Sequence, residues 1–535
     1  MRLISNLYSR IHPVSSNYFI STPIFYVNAD PHIGHVHTLV VTDALHRLAR
    51  LKGAEPTMFT TGTDEHGLKI QRAALARGFE PQQFCDNISK RFANLCSTFN
   101  IGNTHFIRTT DSSHLIAVQH FWNQLVNNGY IYKSKYSGWY SVSDETFLPS
   151  SSIEEKDIDG IKVKISTESG HVLEWFEEEN YMFKLSQFSE PLINYYETEK
   201  ISIKPNIFHQ LVVHLIKQGL NDISISRPIS RLSWGVPVPS DESQRIYVWL
   251  DALVNYLTVA GYPNLSQFWP PDCHVIGKDI IKFHGIYWPA FLLAAKLELP
   301  KRIICHSHWT VDGVKMSKSR QNIVDPFNLL QTYSQEWIRY FLLRQAVPHD
   351  DGNFSESQMC YFLNMDLADT FGNLLSRCCA PKINLKQIYP KTPDHKHLSQ
   401  LQADNLIDSL IQLSSKVDSC FSEAHFYDGI DLIMSSLRMA NKMVQDSKPW
   451  ELAKDPEKHE QLYSVIYLAF EALRVVGILM QPVIPQMSTK LLDKLSIPTE
   501  ERFWSYATPR LLPENSSPER PLNTELESIL FNRIR

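Results

Sequence analysis

"YFISTPIFYVNADPHIGHVHTLVVTDALHRLARLKG", residues 18 to 53, decides the fold. The segment 18–27 is a short apolar, aromatic run that reads as a buried strand, and from Val36 the apolar residues recur at helical spacing until Gly53. The cycle repeats in "EPTMFTTG" (55–62) and "IQRAALARG" (70–78). Strands alternating with helices imply a parallel sheet and a doubly wound α/β fold over Tyr18 to about Leu125. In such folds ligands bind beyond the C-terminal strand ends, where helix N-termini present free N–H groups. His32 and His35, at i and i+3 around Ile33 and Gly34, sit in that turn. They would point the same way from the first helical turn, and Gly34 would let a flat ring approach the backbone. Such imidazoles can donate to phosphate oxygens.

Further along, residues 133–215 turn acidic and lack long helical periodicity, which marks them as an insertion. The strand–helix pattern resumes in "DISISRPI" (222–229), "RIYVWLDALVNYL" (245–257), "DCHVIGKDIIKFHGIYWPAFLLAA" (272–295) and "PKRIICHSHWT" (300–310). Beyond about residue 326 the pattern is almost wholly helical: Leu406, Leu410, Leu413, Val417 and Phe421 form one stripe, and Ile430, Ile433, Met434 and Leu437 another. "SKPWELAK" (447–454) supplies a Pro to stop a helix.

Across 535 residues the chain is 43% apolar and 20% charged with a net charge of −5, which excludes a uniformly basic protein but not a local basic patch. Eight cysteines show no CxxC spacing, a pattern that fits a reducing compartment and gives no support for a zinc site. No run approaches 18 uninterrupted apolar residues, so no membrane span is expected. At the N-terminus, Leu3, Ile4, Leu7, Tyr8 and Ile11 share one helical face, with Arg2 and Arg10 on the other and no acid before Asp30. That is the signature of a mitochondrial presequence, expected over residues 1–16.

A second motif, "VDGVKMSKSRQNI" (311–323), places Lys315 and Lys318 among short polar residues and reads as a cationic loop suited to a triphosphate. HIGH and KMSKS together, in this order on an α/β pattern, resemble the two signatures of class I aminoacyl-tRNA synthetases. With "TGTDEHG", "YVWLDALVNY", "IGKDIIKFH", "GNLLSR" and "KPWELAK", the resemblance extends to the methionyl-tRNA synthetase family over roughly residues 18–455. It implies a Rossmann-type catalytic domain in two halves (17–132 and 216–325, the second with the KMSKS loop) around the connective insertion (133–215). A helical stem-contact linker (326–370) and an all-α helical-bundle anticodon-binding domain (371–535) would follow.

The resemblance also implies roles. Ile24, Tyr26, Trp249, Leu253, Tyr256, Ile280 and His284 would line a methionine pocket, Asp64 would hold the substrate ammonium, and Arg227 would support the site. A thioether favours such aromatic edges. His32, Gly34, His35, Asp279, Lys315 and Lys318 would bind ATP, with His32, His35, Lys315 and Lys318 catalytic. Asn373 and Arg377, which share a helical face, would read the anticodon with Trp450.

ATP with Mg²⁺ is the expected substrate complex and tRNA(Met) the expected partner. No structural zinc is expected, because the insertion carries no Cys where many members have a zinc knuckle. The insertion is also too short for an editing domain, and Leu253 stands where some members have Pro. The chain leaves no room for the appended tRNA-binding domain of some bacterial members, which favours a monomer. The expected location is the mitochondrial matrix, with the cytoplasm as the alternative. A leucine, valine or cysteine enzyme and a non-catalytic RNA-binding scaffold are the rival readings.

Overall fold

Pro23 breaks the opening apolar run in two, because proline offers no N–H to a ladder. The single strand read from sequence is therefore a pair, β1 (Tyr18–Ser21) and β2 (Phe25–Tyr26). Helix α1 (Ile33–Leu51) starts inside the HIGH turn, and β3 (Thr57–Asp64) follows. These elements belong to a computed structural model that describes residues 17–142, 145–148, 152–158, 161–167, 169–198, 201–311, 313–316, 322–511 and 515–534. The amphipathic stretch 1–16 and Lys318 lie outside the described residues.

Among the described residues the main sheet has seven strands. Its order runs Ser202–Lys204, Arg302–His306, Cys273–Gly277, β1, β3, β2, with His105–Arg108 also on β3. β1 with Cys273–Gly277, Ser202–Lys204 and Cys273–Gly277 with Arg302–His306, and β2 and His105–Arg108 with β3 all pair in parallel, as the alternating sequence pattern requires. β1 pairs with β3 on one side and with Cys273–Gly277 on the other, so chain order reverses beside it. This is the crevice where a doubly wound sheet binds its ligand. β2 and the HIGH turn, Asp64 at the end of β3, Gly277 and His306 all stand at the C-terminal strand ends.

The insertion is built mainly of antiparallel strands. Ile131–Ser141 pairs with Leu173–Phe183 along its whole length, and Ile153–Ile158 pairs with Ile161–Ser166. The acidic residues 177 and 179 are exposed and alternate with more buried neighbours, which is how a one-sided ribbon solvates its charge. Ser202–Lys204 then joins the main sheet in parallel with Arg302–His306, so the sheet takes up the chain again before residue 216.

The chain divides into two units, one of Phe19–Thr38 and Met58–His306, the other including Leu39–Thr57 and Ser307–Arg535. The first is centred on a cluster that includes Phe121, Trp122, Phe183, Tyr256, Trp288 and Phe291, all buried. The second is mainly helical. Its helices include Asp404–Ser422, Phe426–Ser447, His459–Leu479 and Pro485–Lys494. Every member of the two apolar stripes read from sequence is buried there. Lys448 adopts φ 45° and Pro449 follows, which ends the Phe426–Ser447 helix at the place the sequence indicated.

The stretch Pro456–Leu479 is long and apolar enough to cross a membrane, but 94% of its most apolar part is buried inside the protein, as a central bundle helix requires. Within it Glu471 and Arg474 form a fully buried ion pair at 2.7 Å. Tyr389 donates to Glu471 at 2.5 Å, and Arg474 donates to the carbonyls of Tyr506 and Thr508 at 2.6 Å. Both charges are thus satisfied on several sides, the condition for burying them.

Candidate active site

The HIGH turn fixes its own histidines. The backbone N–H of Gly34 donates to Nδ1 of His32 at 3.1 Å, and that of His32 donates to Nδ1 of His35 at 3.0 Å. In a neutral ring the proton must then sit on Nε2, so each imidazole presents an N–H donor beyond the turn. The two rings stack at 3.8 Å, and His35 meets Phe25 and Phe92 edge-on at 5.1 Å. Burial, reinforced by His32, pushes the His35 pKa well below 6.5. His35 is therefore a neutral donor, not a cation, at physiological pH.

The TGTDEHG turn follows β3. Arg108 clamps the buried Glu65 carboxylate with two bonds of 2.8 and 2.9 Å, Thr110 adds one of 2.6 Å, and Trp234 donates to the Glu65 carbonyl at 2.5 Å. This leaves the neighbouring Asp64 rigid and buried. Its Oδ1 has no hydrogen-bond partner among the described residues. Burial, then the nearby Asp251 and Glu145 carboxylates, raise its pKa well above the usual carboxylate range. Such a group gains strongly from an incoming cation, which replaces lost hydration with a charge-assisted hydrogen bond. Asp64 faces Tyr26 in the β2–β3 register.

Tyr26, Trp249 and Ile280 pack against the cluster that holds Leu253 and Tyr256. Trp249 stacks on Phe283 at 3.6 Å and 8°. His284 donates from Nδ1 to the carbonyl of Ile280 at 3.0 Å, so its Nε2 accepts from the Tyr256 hydroxyl at 2.9 Å. Burial holds the His284 pKa down to about 4. The wall these residues form is aromatic, hydrogen-bonded and uncharged, which suits a polarizable apolar side chain. Ile24, half-buried, lies between β1 and β2.

Asp279 is exposed in the short turn Lys278–Ile280 after Gly277. Arg227 is buried with its guanidinium about 5 Å from the Tyr140, Phe147 and Tyr247 rings (5.1, 5.0 and 4.9 Å), and it donates to the Ser226 carbonyl at 2.7 Å. Lys315 lies in a short strand paired with Thr310. In the helical unit, exposed Asn373 opens the helix Asn373–Cys379, and the Arg377 guanidinium lies 5.8 Å from the centre of the half-buried Trp450 ring. Arg377 also donates to Gln445 at 3.0 Å. These two residues, 73 positions apart in sequence, therefore share one surface.

Sequence reasoning missed a second tier. Asp251 is fully buried and accepts from His66 at 2.7 Å and His114 at 2.9 Å. Against the upward push of burial, these histidines hold its carboxyl below the usual range. An acid inside the apolar run "YVWLDALVNY" was the available signal. Glu145 gave no such signal, because it stands in a polar loop. Among the described residues no three His, Cys, Asp or Glu side chains are grouped to hold a metal.

Comparison with known proteins identifies the family. Residues 18–379 match the family described as tRNA synthetases class I (M), and the chain belongs to that family. It is similar to a mitochondrial methionine–tRNA ligase of Takifugu rubripes, 47% identical over 498 residues that span 91% of this chain and 84% of that protein. The mitochondrial methionine–tRNA ligase of Homo sapiens is 45% identical over 501 residues, 90% of this chain and 84% of that one. The solved Mycobacterium tuberculosis methionyl-tRNA synthetase in complex with methionyl-adenylate superposes with a TM-score of 0.89 at 36% identity, covering 96% and 99% of the two chains.

Proposed function

We propose that this chain activates L-methionine with ATP and transfers it to tRNA(Met). The observation that carries this reading is the pairing of Asp64, whose buried Oδ1 lacks a partner among the described residues, with Tyr26 at the edge of an uncharged aromatic cluster. An α-amino acid with a polarizable apolar side chain matches both halves.

In the first step the methionine carboxylate oxygen attacks the α-phosphorus of ATP, the bond to the bridging oxygen breaks, and pyrophosphate leaves. Catalysis rests on positioning and on stabilising charge as it develops. Asp64 would hold the ammonium, and Trp249, Leu253, Tyr256, Ile280, His284, Ile24 and Tyr26 the side chain. The Nε2–H groups of His32 and His35 would donate to phosphate oxygens, with Gly34 giving the nucleotide access and Asp279 taking a ribose hydroxyl. Since His35 is neutral, the positive charge that offsets the departing pyrophosphate's negative charge would come from Lys315 and Lys318, and from Mg²⁺ carried in with ATP. Arg227 would brace the site from behind.

In the second step a terminal ribose hydroxyl of the tRNA attacks the adenylate carbonyl and AMP leaves. Arg377, Trp450 and Asn373 would read the anticodon by stacking and hydrogen bonding. The finer readings are a monomer and a mitochondrial matrix location, the latter supported by relatives named mitochondrial. The test is charging of tRNA(Met) with labelled methionine by the purified protein. Esterified methionine is the expected product, and its absence with exchange-competent protein would remove the second step.

A further inference from the structure

The insertion sends one carboxylate into the site. Glu145 lies between the strands Ile131–Ser141 and Thr146–Leu148, is only 4% exposed, and holds a left-handed backbone at φ 51°. A glutamate rarely adopts that conformation unless the surroundings hold it there. Here two bonds do so. Oε2 lies 2.5 Å from the Tyr26 hydroxyl, and Oε1 accepts from the Lys69 backbone N–H at 2.9 Å. The fit is close: a Cβ on Gly67, itself at φ 112°, would come within 2.5 Å of the Tyr26 oxygen and 2.6 Å of Oε1. The TGTDEHG turn thus ends in glycine because the Tyr26–Glu145 pair occupies the space a side chain would need.

From this geometry we infer that Glu145 is a positioning residue for the amino acid pocket: it fixes the side chain of Tyr26, the register partner of Asp64, and so couples the insertion to methionine binding. The inference rests on the assignment of Tyr26 to that pocket.

Two proton arrangements satisfy the group. Either Tyr26 donates to the Glu145 carboxylate, or Glu145 carries a proton to the Tyr26 oxygen while Tyr26 donates to the His66 carbonyl, 3.1 Å away. Burial raises the Glu145 pKa, and the bonds from the Lys69 N–H and the Tyr26 hydroxyl pull it back. Glutamine reproduces that second pattern, with its oxygen accepting from Lys69 and its amide donating to Tyr26.

The test is methionine-dependent pyrophosphate exchange by the full chain carrying Glu145→Ala, Glu145→Gln, Tyr26→Phe, or Ala and Phe together, with melting temperature measured on each. Glu145→Ala is expected to raise the methionine KM about tenfold, the scale of one lost hydrogen bond to a charged or buried partner, while the ATP KM stays within about twofold. Glu145→Gln is expected to recover most of that loss. The double variant should be no worse than the weaker single variant, because both remove one interaction. If Glu145→Ala proves insoluble, Glu145→Asp carries the same expectation, since the shorter carboxylate cannot reach both partners. A Tyr26→Phe effect on methionine KM with none from Glu145→Ala overturns the role given to Glu145. No effect from Tyr26→Phe overturns the pocket assignment of Tyr26 and the inference with it. Loss of all parameters together, without rescue by glutamine, would leave Glu145 only a structural part of the insertion.

Discussion

Tyr256 donates its hydroxyl proton to Nε2 of His284 across 2.9 Å, and the direction is forced by the other ring nitrogen, which donates to the Ile280 carbonyl. The pair, which we propose lines the methionine pocket, is uncharged, since burial holds the His284 pKa down to about 4. Replacing Tyr256 by Phe keeps the ring and strands a buried acceptor, at about 1–3 kcal/mol. We expect Tyr256→Phe to lower the melting temperature and to raise the methionine KM by about tenfold. Both are read by calorimetry and exchange kinetics on one preparation.

Asp64 is the group we propose to meet the substrate ammonium. With a neutral amide in its place, Asp64→Asn removes the charge that meets the ammonium, worth about 1.5–3 kcal/mol. Methionine KM should rise roughly 10- to 100-fold with the ATP KM little changed. The free protein should gain stability, because a buried carboxylate pressed by Asp251 and Glu145 becomes uncharged. A combined loss of affinity and gain in melting temperature is the pattern to look for.

Buried histidines set the acid limit. The pKa values of His46 and His284 are held to about 4, and those of His35 and His274 are pushed well below 6.5, in each case chiefly by burial. Between pH 4 and 6.5 the unfolded chain takes up protons that the folded protein refuses. That share of stability is complete above 6.5 and is lost as the pH falls through the window. Melting temperature should therefore drop steadily from pH 6.5 to 4.5. His46→Gln should flatten part of the drop, at up to about 1.4 kcal/mol for each unit the pKa is displaced.

Arg377 and Trp450 pair on the surface of the helical unit, so Trp450→Ala removes a stacking face and loosens the arginine beside it. Stacking of a base on an aromatic ring is worth about 1–3 kcal/mol. The tRNA KM in charging should rise about 10- to 100-fold while pyrophosphate exchange is nearly unaffected. Equal loss in both assays would make Trp450 a packing residue.

The alternating texture of residues 18–125 and the stripes from Leu406 to Leu437 were readable because each element's apolar period matches the face it buries. Pro23 escaped that reading, since an apolar run does not show where a ladder loses its donor. In the site, His32, His35 and Asp64 sit in compact motifs whose spacing carries the chemistry. Glu145 and the triad His66–Asp251–His114 assemble from residues 76 to 185 positions apart, from Lys69–Glu145 at the near end to His66–Asp251 at the far end. Pairings of that range are written in tertiary packing and leave no local period to detect.

The most direct test is exchange of pyrophosphate into ATP by the purified protein, with each of the twenty amino acids supplied separately. We expect exchange with methionine and none above background with leucine, valine or cysteine. Equal or faster exchange with another amino acid would show that the pocket of Tyr26, Trp249 and Tyr256 has been misread. No exchange with any of them would mean that the strand-end geometry no longer supports catalysis.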